Sequence, residues 1–386
     1  MSSNPVIALI GRRLKLAVIG GGPGSFIGAM HRQAASLDGR YDIVAAALSS
    51  DPEKARQAGV ALGLPPQRCY GGGADLLAKE MERSDRAEVV AIMTPNDSHF
   101  PLAMAALAAG FDVICDKPMT NTLEQARALH ARVQETGLVF CLTHNYTGYP
   151  MVRQARAMVA DGQLGDIRLV QVEYVQGGRA KEGPARVAWK DDPERGGPSL
   201  VMGDIGTHAH NLLRFITGQE VEQVAADVGA IVPGRATHDY AAAMLRMQGG
   251  ARGMFWVTQA AAGVENALRI RVSGSLGTLE WFQERPQQLR FSPLGAPAQI
   301  RTPNGPGTLP LAAQASRIVA GHPEGFHEAF ANLYADAAHA IAARRTGTTA
   351  PPLVMHFPTA HDGLAGLVFV DAVIRSAAHH GAWTSV

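Results

Sequence analysis

Leu16 to Ile19 is a short apolar run that breaks into Gly20, Gly21, Gly22, Pro23, Gly24 and Ser25 before Phe26, Ile27 and Gly28 restore an apolar texture. A run of this kind encodes a buried strand that turns tightly into a helix N-terminus, and no other stretch constrains the chain as much. Backbone N–H groups at the turn and the positive end of the helix attract anions, while missing Cβ atoms let a ligand approach closely. Gly20, Gly22 and Gly28 supply three glycines of a dinucleotide-binding turn. Pro23, Gly24, Ser25, Phe26 and Ile27 form a spacer longer than the G-x-G-x-x-G pattern has. These residues are the candidate pyrophosphate contacts, and an ordinary glycine-rich loop is the competing reading of the stretch taken alone.

From Ala29 to Thr143 the chain has the alternation of a parallel sheet. The sequence predicts a helix over Ala29 to Leu37, a strand over Ile43 to Leu48, and a helix opened by Ser50-Asp51-Pro52-Glu53 and running to about Leu62. Further strands are predicted at Glu88 to Met93, Asp112 to Cys115 and Leu138 to Thr143, with helices between them. Thr122 and Gln125 have capping-box spacing. Strands alternating with helices make a parallel sheet, whose ligands sit outside the carboxyl ends of the strands. The glycine turn, Thr94-Pro95-Asn96 with His99, Asp116-Lys117-Pro118, and Thr143 to Tyr149 all come after strands and should share that rim. Ser49 and Ser50 stand where an acid often binds the adenosine ribose. The missing carboxylate and the nearby Lys54 admit NADP as well as NAD.

At 386 residues the chain exceeds what one core usually holds, so two domains are expected, 1–148 and 149–386. A formal charge of +1 gives no electrostatic hold on nucleic acid or an anionic membrane. Cys69, Cys115 and Cys141 are far apart and form no CxxC, which points to reduced thiols and a cytoplasmic protein. The apolar run Val6 to Ile10 is too short for an export signal, and no membrane span is read.

Beyond Tyr149 the texture changes. Helical spacing from Met151 to Val159 and Ser199 to Phe215 is interleaved with β-like runs at Ile167–Val175, 221–231, Tyr240–Met247, Arg252–Thr258, 268–272 and 278–282. Leu268, Ile270 and Val272 alternate with Arg269 and Arg271, the mark of a sheet with one wet face. This half reads as an α+β domain with a large, mainly antiparallel, open-faced sheet. Residues 292–325 read as a long loop, within which His322 and Glu324 reach a substrate only if it folds back. Helices are expected at 326–344 and 361–377.

The glycine turn, Thr94-Pro95-Asn96 with His99, Asp116-Lys117-Pro118, and Gly203-Asp204-Ile205-Gly206-Thr207-His208 together resemble the Gfo/Idh/MocA family, named for glucose-fructose oxidoreductase and inositol dehydrogenase. The resemblance implies a Rossmann domain, an open-faced sheet domain, and NAD(P)-dependent hydride transfer on sugars, cyclitols and related polyols. It places the family's catalytic roles on Lys117, Asp204 and His208, and it implies a cis bond before Pro118. Three departures stand out: the long glycine spacer, Asp116 where the family usually has Glu, and Ser49 in place of a frequent acid.

The chemistry agrees with those roles. An alcohol losing hydride needs a base for its hydroxyl proton, and an imidazole titrates in the right range. Asp204 lies four residues before His208, so on a helix both share a face and the carboxylate can orient the ring. Lys117 can stabilise charge developing on the reacting oxygen. A helix-surface pair and a solvated lysine are the bland alternative. Gly203 and Gly206 sharpen the functional reading, since glycine inside a helix costs about 1 kcal/mol and calls for a close approach.

His144, Asn145, Tyr146, Tyr149 and Arg153 are candidate substrate contacts, while Thr94, Pro95, Asn96, His99 and Asp116 are candidate cofactor contacts. Trp189 on the cofactor and Lys190 on the substrate are candidates to cover the site. Asp204 and His208 lack a third ligand, so no metal is expected. An NAD-dependent glycoside hydrolase working through transient oxidation, or a non-catalytic dinucleotide sensor, are the alternative functions. A homo-oligomer, dimer or tetramer, is expected through the second domain's sheet.

Overall fold

The computed structural model describes residues 4–183 and 192–386. Contacts divide the chain into two units, and they do not follow the spans 1–148 and 149–386. The first comprises 1–120, 124–145 and 326–364; the second comprises 121–123, 146–325 and 365–386.

In the first unit, helix α1 (Pro5–Ile10) precedes strand β1 (Leu14–Gly20), helix α2 (Phe26–Leu37), strand β2 (Tyr41–Ala47), and helices α3 (Pro52–Ala61) and α4 (Gly73–Met81). Next come strand β3 (Val89–Met93), helix α5 (His99–Ala108), strand β4 (Asp112–Cys115), helix α6 (Leu123–Thr136) and strand β5 (Phe140–Leu142). All pairings are parallel, in the order β2-β1-β3-β4-β5. An isolated parallel bridge between Ala46 and Cys69 carries the sheet one position beyond β2. Counting Cys69 as that position restores the doubly wound dinucleotide-binding order 3-2-1-4-5-6, with the switch point between β1 and β3. The unit is a Rossmann-type domain.

The apolar run Val6 to Ile10 is a helix. Asn4 accepts from the Val6 and Ile7 amides, Pro5 opens the first turn, and Gly11 at φ 73° ends it. Helix α2 begins at Phe26 rather than Ala29, because Ser25 caps it by accepting from Gly28 N. Asp51 caps α3 with Pro52 in the first turn. Helix α11 (Phe326–Thr346) returns from late in the chain, packs on α1 and α2, and joins the core of β1, β2 and β3 through Phe330, Leu333, Tyr334, Ala337 and Ile341.

In the second unit, α7 (Pro150–Ala160), β6 (Ile167–Val175) and the short α8 (Pro193–Gly196) lead to a π-helical turn, Met202–Gly206, that runs into α9 (Thr207–Thr217). Strands β7 (Val221–Gly229), β8 (Tyr240–Met247), β9 (Arg252–Thr258), β10 (Ala267–Gly274), β11 (Gly277–Phe282), β12 (Leu289–Pro293), β13 (Gln299–Arg301) and β14 (Thr384–Ser385) join β6 in the sheet order β13-β12-β11-β10-β6-β9-β8-β7-β14. Among the described residues only β6 and β9 pair in parallel.

One face of this sheet is covered by α7 and α9. The other carries exposed Leu169, Met244, Met254 and Trp256 beside Arg269 and Arg271. Residues 292–325 are not one long loop. They contain the end of β12, then β13 and the short α10 (Pro310–Gln314), and α10 is tied to α7 by Gln154, which donates to Gly307 O and accepts from Leu309 N. Helix α12 (Ala360–Ala378) ends the helical part of the chain.

Candidate active site

The glycine turn after β1 divides its work among particular residues. A Cβ on Gly28 would strike the Gly21 backbone, so Gly28 is the residue that lets α2 lie against the turn. A Cβ on Gly22 would strike Leu48 O at the end of β2, so the packing of the turn on β2 excludes a side chain there. Gly24, at φ 81° with nothing within 4 Å of its Cβ position, faces open space. The long spacer is taken up by this turn, in which Ser25 N donates to Gly22 O. Gly22, Pro23, Ser25, Leu48, Ser49, Lys54, Gln57, Ala58 and Ala61 line an open cleft of about 550 Å³.

This cradle, with the helix α2 N-terminus beside it, fits the pyrophosphate and adenosine of a dinucleotide. Lys54 is the one cation among the described residues that line the cleft, and its ammonium lies 3.8 Å from Asp51. Hydrogen bonds from the Lys54 and Glu53 amides, with the Lys54 charge adding to them, hold Asp51 below its usual carboxylate range.

The loops after β3, β4 and β5 are cross-tied. His99 is fully buried, with Nδ1 at 2.8 Å from Pro118 O and Nε2 at 2.9 Å from Thr94 O. Both ring nitrogens face protein carbonyls, and His99 lies between the Thr94 and Pro118 loops. Asn96 is buried in the turn between Pro95 and Ser98, while Ser98 Oγ donates to Thr94 Oγ1 or Pro95 O at 2.7 and 2.8 Å.

The Lys117–Pro118 bond is cis. Asp116 Oδ1 accepts from Lys117 N and from Thr143 Oγ1, both at 2.9 Å, so the shorter acid still anchors its loop to the one after β5. His31 of α2 points Nε2 at the same carboxylate from 4.0 Å, and its Nδ1 is 2.6 Å from Tyr334 OH. Burial pulls this imidazole down to about 4, so the ring is neutral at pH 7 and the contact is not an ion pair. His144 and Asn145 are buried just past β5, and Asn145 Nδ2 has no hydrogen-bond partner among the described residues.

The second unit assembles its own polar cluster. Asp204 lies in the π-helical turn and His208 in the first turn of α9, a widened geometry where the sequence predicts plain helix. A Cβ on Gly206 would press on the Met202 thioether, so that glycine's close neighbour is protein.

Gln259, just past β9, donates from Nε2 to Asp204 Oδ2 at 2.8 Å and to Gln176 Oε1 at 3.3 Å. Gln176 Nε2 donates to Asn266 Oδ1 at 2.6 Å and to Tyr174 OH at 3.2 Å. Tyr174 OH donates to Asn266 Oδ1 at 2.8 Å, which leaves Tyr146 OH as the donor in the 2.5 Å contact between the two phenols. The rings of Tyr146 and Tyr174 stand edge-on to His208, with centroids 4.9 and 6.3 Å away. Burial first, then Tyr146 and the Asp204 charge, hold the Tyr174 phenol well above its ordinary value and keep it protonated.

Tyr174, Gln176, Gln259 and Asn266 were missed in the sequence. They sit at or just past the ends of β6 and β9 and before β10, where alternating burial gives no sign of a polar end. Of the other sequence candidates, Arg153 and Tyr149 turn inward. Arg153 is fully buried with Nε on Thr147 O, and Tyr149 packs between Tyr146 and Trp281. The Glu324 carboxylate accepts from the Arg317 and Ile318 amides while its backbone O accepts from Gln287 Nε2, and His322 is exposed, with Nδ1 3.3 Å from Val319 O. Trp189 and Lys190 lie outside the described residues.

Comparisons with known proteins agree with this architecture. Residues 14–144 match a family model described as "Oxidoreductase family, NAD-binding Rossmann fold", and residues 152–280 match the "GFO/IDH/MocA C-terminal domain". The oxidoreductase YfiI of Bacillus subtilis is 32% identical over 97% of both chains. An oxidoreductase from Sinorhizobium meliloti is 46% identical with a TM-score of 0.88, covering 96% of this chain and 99% of that one. An inositol dehydrogenase homologue from Azotobacter vinelandii, solved with NADH and myo-inositol, is 37% identical with a TM-score of 0.90 over 98% of both chains. The chain therefore belongs to the GFO/IDH/MocA oxidoreductase family, as an NAD(P)-dependent dehydrogenase or reductase with an NAD-binding Rossmann domain.

Proposed function

We propose that this enzyme interconverts a secondary hydroxyl and a ketone on a cyclitol, sugar or related polyol. The observation that carries the reading is the Asp204–His208 cluster: a carboxylate held by the Gln259 amide and an imidazole walled by two phenol rings. The myo-inositol complex of the Azotobacter homologue supports the same substrate class.

Bound NAD supplies the two-electron acceptor. His208 takes the hydroxyl proton in oxidation and returns it in reduction, Asp204 orients the ring, and Lys117 stabilises negative charge on the reacting oxygen. The glycine turn and the cleft beside Ser49 hold the pyrophosphate and adenosine. Asp51 beside Lys54 opposes a 2′-phosphate, which favours NAD over NADP. The exposed Leu169, Met244, Met254 and Trp256 support self-association through the second unit's sheet. Three buried free thiols suit a reducing compartment such as the cytoplasm.

The test is absorbance at 340 nm with purified protein, a panel of cyclitols and sugars, and each cofactor in turn. NAD-dependent turnover is expected, falling about 10²- to 10⁴-fold in Lys117→Ala and His208→Ala. No substrate-dependent change with either cofactor would overturn the reading, and steady glycoside cleavage without net NADH would replace it with a hydrolase.

A further inference from the structure

We propose that Gln259 is a positioning residue for the acid–base pair, fixing the Asp204 carboxylate and, through one continuous amide and phenol network, the walls of the His208 ring. This rests on the function proposed above, which assigns Asp204 and His208 their roles.

Gln259 is well placed to act as a fixed post. It is buried, and its backbone is pinned on both sides, with N donating to Asp239 O at 3.0 Å and O accepting from Arg179 N at 2.9 Å. Its side-chain amide therefore has little freedom, and both Nε2 protons are committed, one to Asp204 Oδ2 and one to Gln176 Oε1. The amide cannot be turned over, because that would set its oxygen against the Asp204 carboxylate. The orientation it keeps leaves Oε1 buried with no partner among the described residues. What this orientation of the amide does is hold the Asp204 carboxylate.

Proton polarity along the network is set by the same anchor. Gln259 donates to Gln176, and Gln176 to Asn266 and Tyr174. Tyr174 donates to Asn266, so Tyr146 must donate to Tyr174. Each phenol has a single proton, already assigned, and amides do not pass protons on. The network therefore orients and does not conduct. It includes the two phenols whose rings stand edge-on to His208, so one set of hydrogen bonds bears on both members of the pair.

The test compares Gln259→Leu and Gln259→Glu with the wild-type chain, using the polyol that the wild type oxidises fastest. NADH affinity by fluorescence titration and the melting temperature monitor folding. Loss of positioning is expected to lower kcat about 10- to 100-fold with KM changed less than about threefold. Wild-type affinity for NADH should be retained. Gln259→Glu, which keeps the shape and replaces a donor by a carboxylate facing Asp204, should fall at least as far. It decides the matter if the leucine variant does not fold. A kcat within about twofold of wild type in a folded variant overturns the proposal and leaves the function standing, as does a loss that appears in KM alone. No turnover by the wild-type chain overturns the proposed function and this inference with it.

Discussion

His31 is held neutral where an imidazole in water would be half charged near pH 6.5. With a folded-state value of about 4, the unfolded chain takes up a proton between those two pH values that the folded chain refuses. Stability contributed at this site is therefore complete above about pH 6.5 and is lost as the pH falls toward 4. Between pH 7 and pH 5 the loss is about 2 kcal/mol, and urea unfolding at both pH values should show a pH dependence shallower by about that amount in His31→Asn. At the cofactor cleft, Asp51→Asn keeps a capping side chain and removes a charge beside Lys54. It should shift the ratio of NADPH to NADH affinity about two- to fivefold toward NADPH in low salt, as read by fluorescence titration.

At the scale of elements, Gly28 and Gly24 separate two uses of the same residue type. Gly28→Ala forces α2 away from the Gly21 backbone, and about 1–3 kcal/mol of stability should be lost together with NADH affinity. Gly24→Ala meets no neighbour and carries only the strain of a positive φ, about 1 kcal/mol. Melting curves and NADH titration distinguish the two. Elements were legible where the physics is local: Asp51-Pro52 marked its helix start, and the alternation of Leu268, Ile270 and Val272 marked β10. Elements whose existence depends on distant partners were not. The third sheet position at Cys69 is a single bridge to Ala46, and β13 is three residues long with a mostly exposed pattern. The π-helical turn at Asp204 differs from an α-helix by one inserted residue, which no periodicity over five positions can register. Lys117, Asp204 and His208 could be proposed because they stand in motifs that resemble those of the family. Gln259, Gln176 and Asn266 could not, because each is an isolated polar residue until strands β6, β9 and β10 bring them side by side.

For the whole molecule, the open face of the second unit's sheet carries Met244, Met254 and Trp256 around a shallow cleft with Gln171 and Glu173. Trp256→Glu with Met254→Lys should give a smaller species by sedimentation velocity with NADH affinity unchanged, since none of these residues belongs to the Rossmann-type unit. The sequence spans also placed everything after residue 148 in one domain, because nothing local distinguishes α11 from the helices before it. Tyr334 joins His31 and Tyr41 in the first unit's core, with Tyr41 OH donating to Tyr334 O at 2.9 Å. A fragment ending at residue 148 should lack fixed tertiary packing, shown by lost near-ultraviolet dichroism with helical signal retained.

That late return sets an order of events during synthesis. A ribosome makes the nucleotide-binding strands first, yet their apolar flank stays bare until α11 (Phe326–Thr346) has been made. The unit whose strands are made first is thus sealed late. A nascent chain of this topology offers chaperones a prolonged target, and a stop codon anywhere before α11 would cost the enzyme its coenzyme domain as well as its tail.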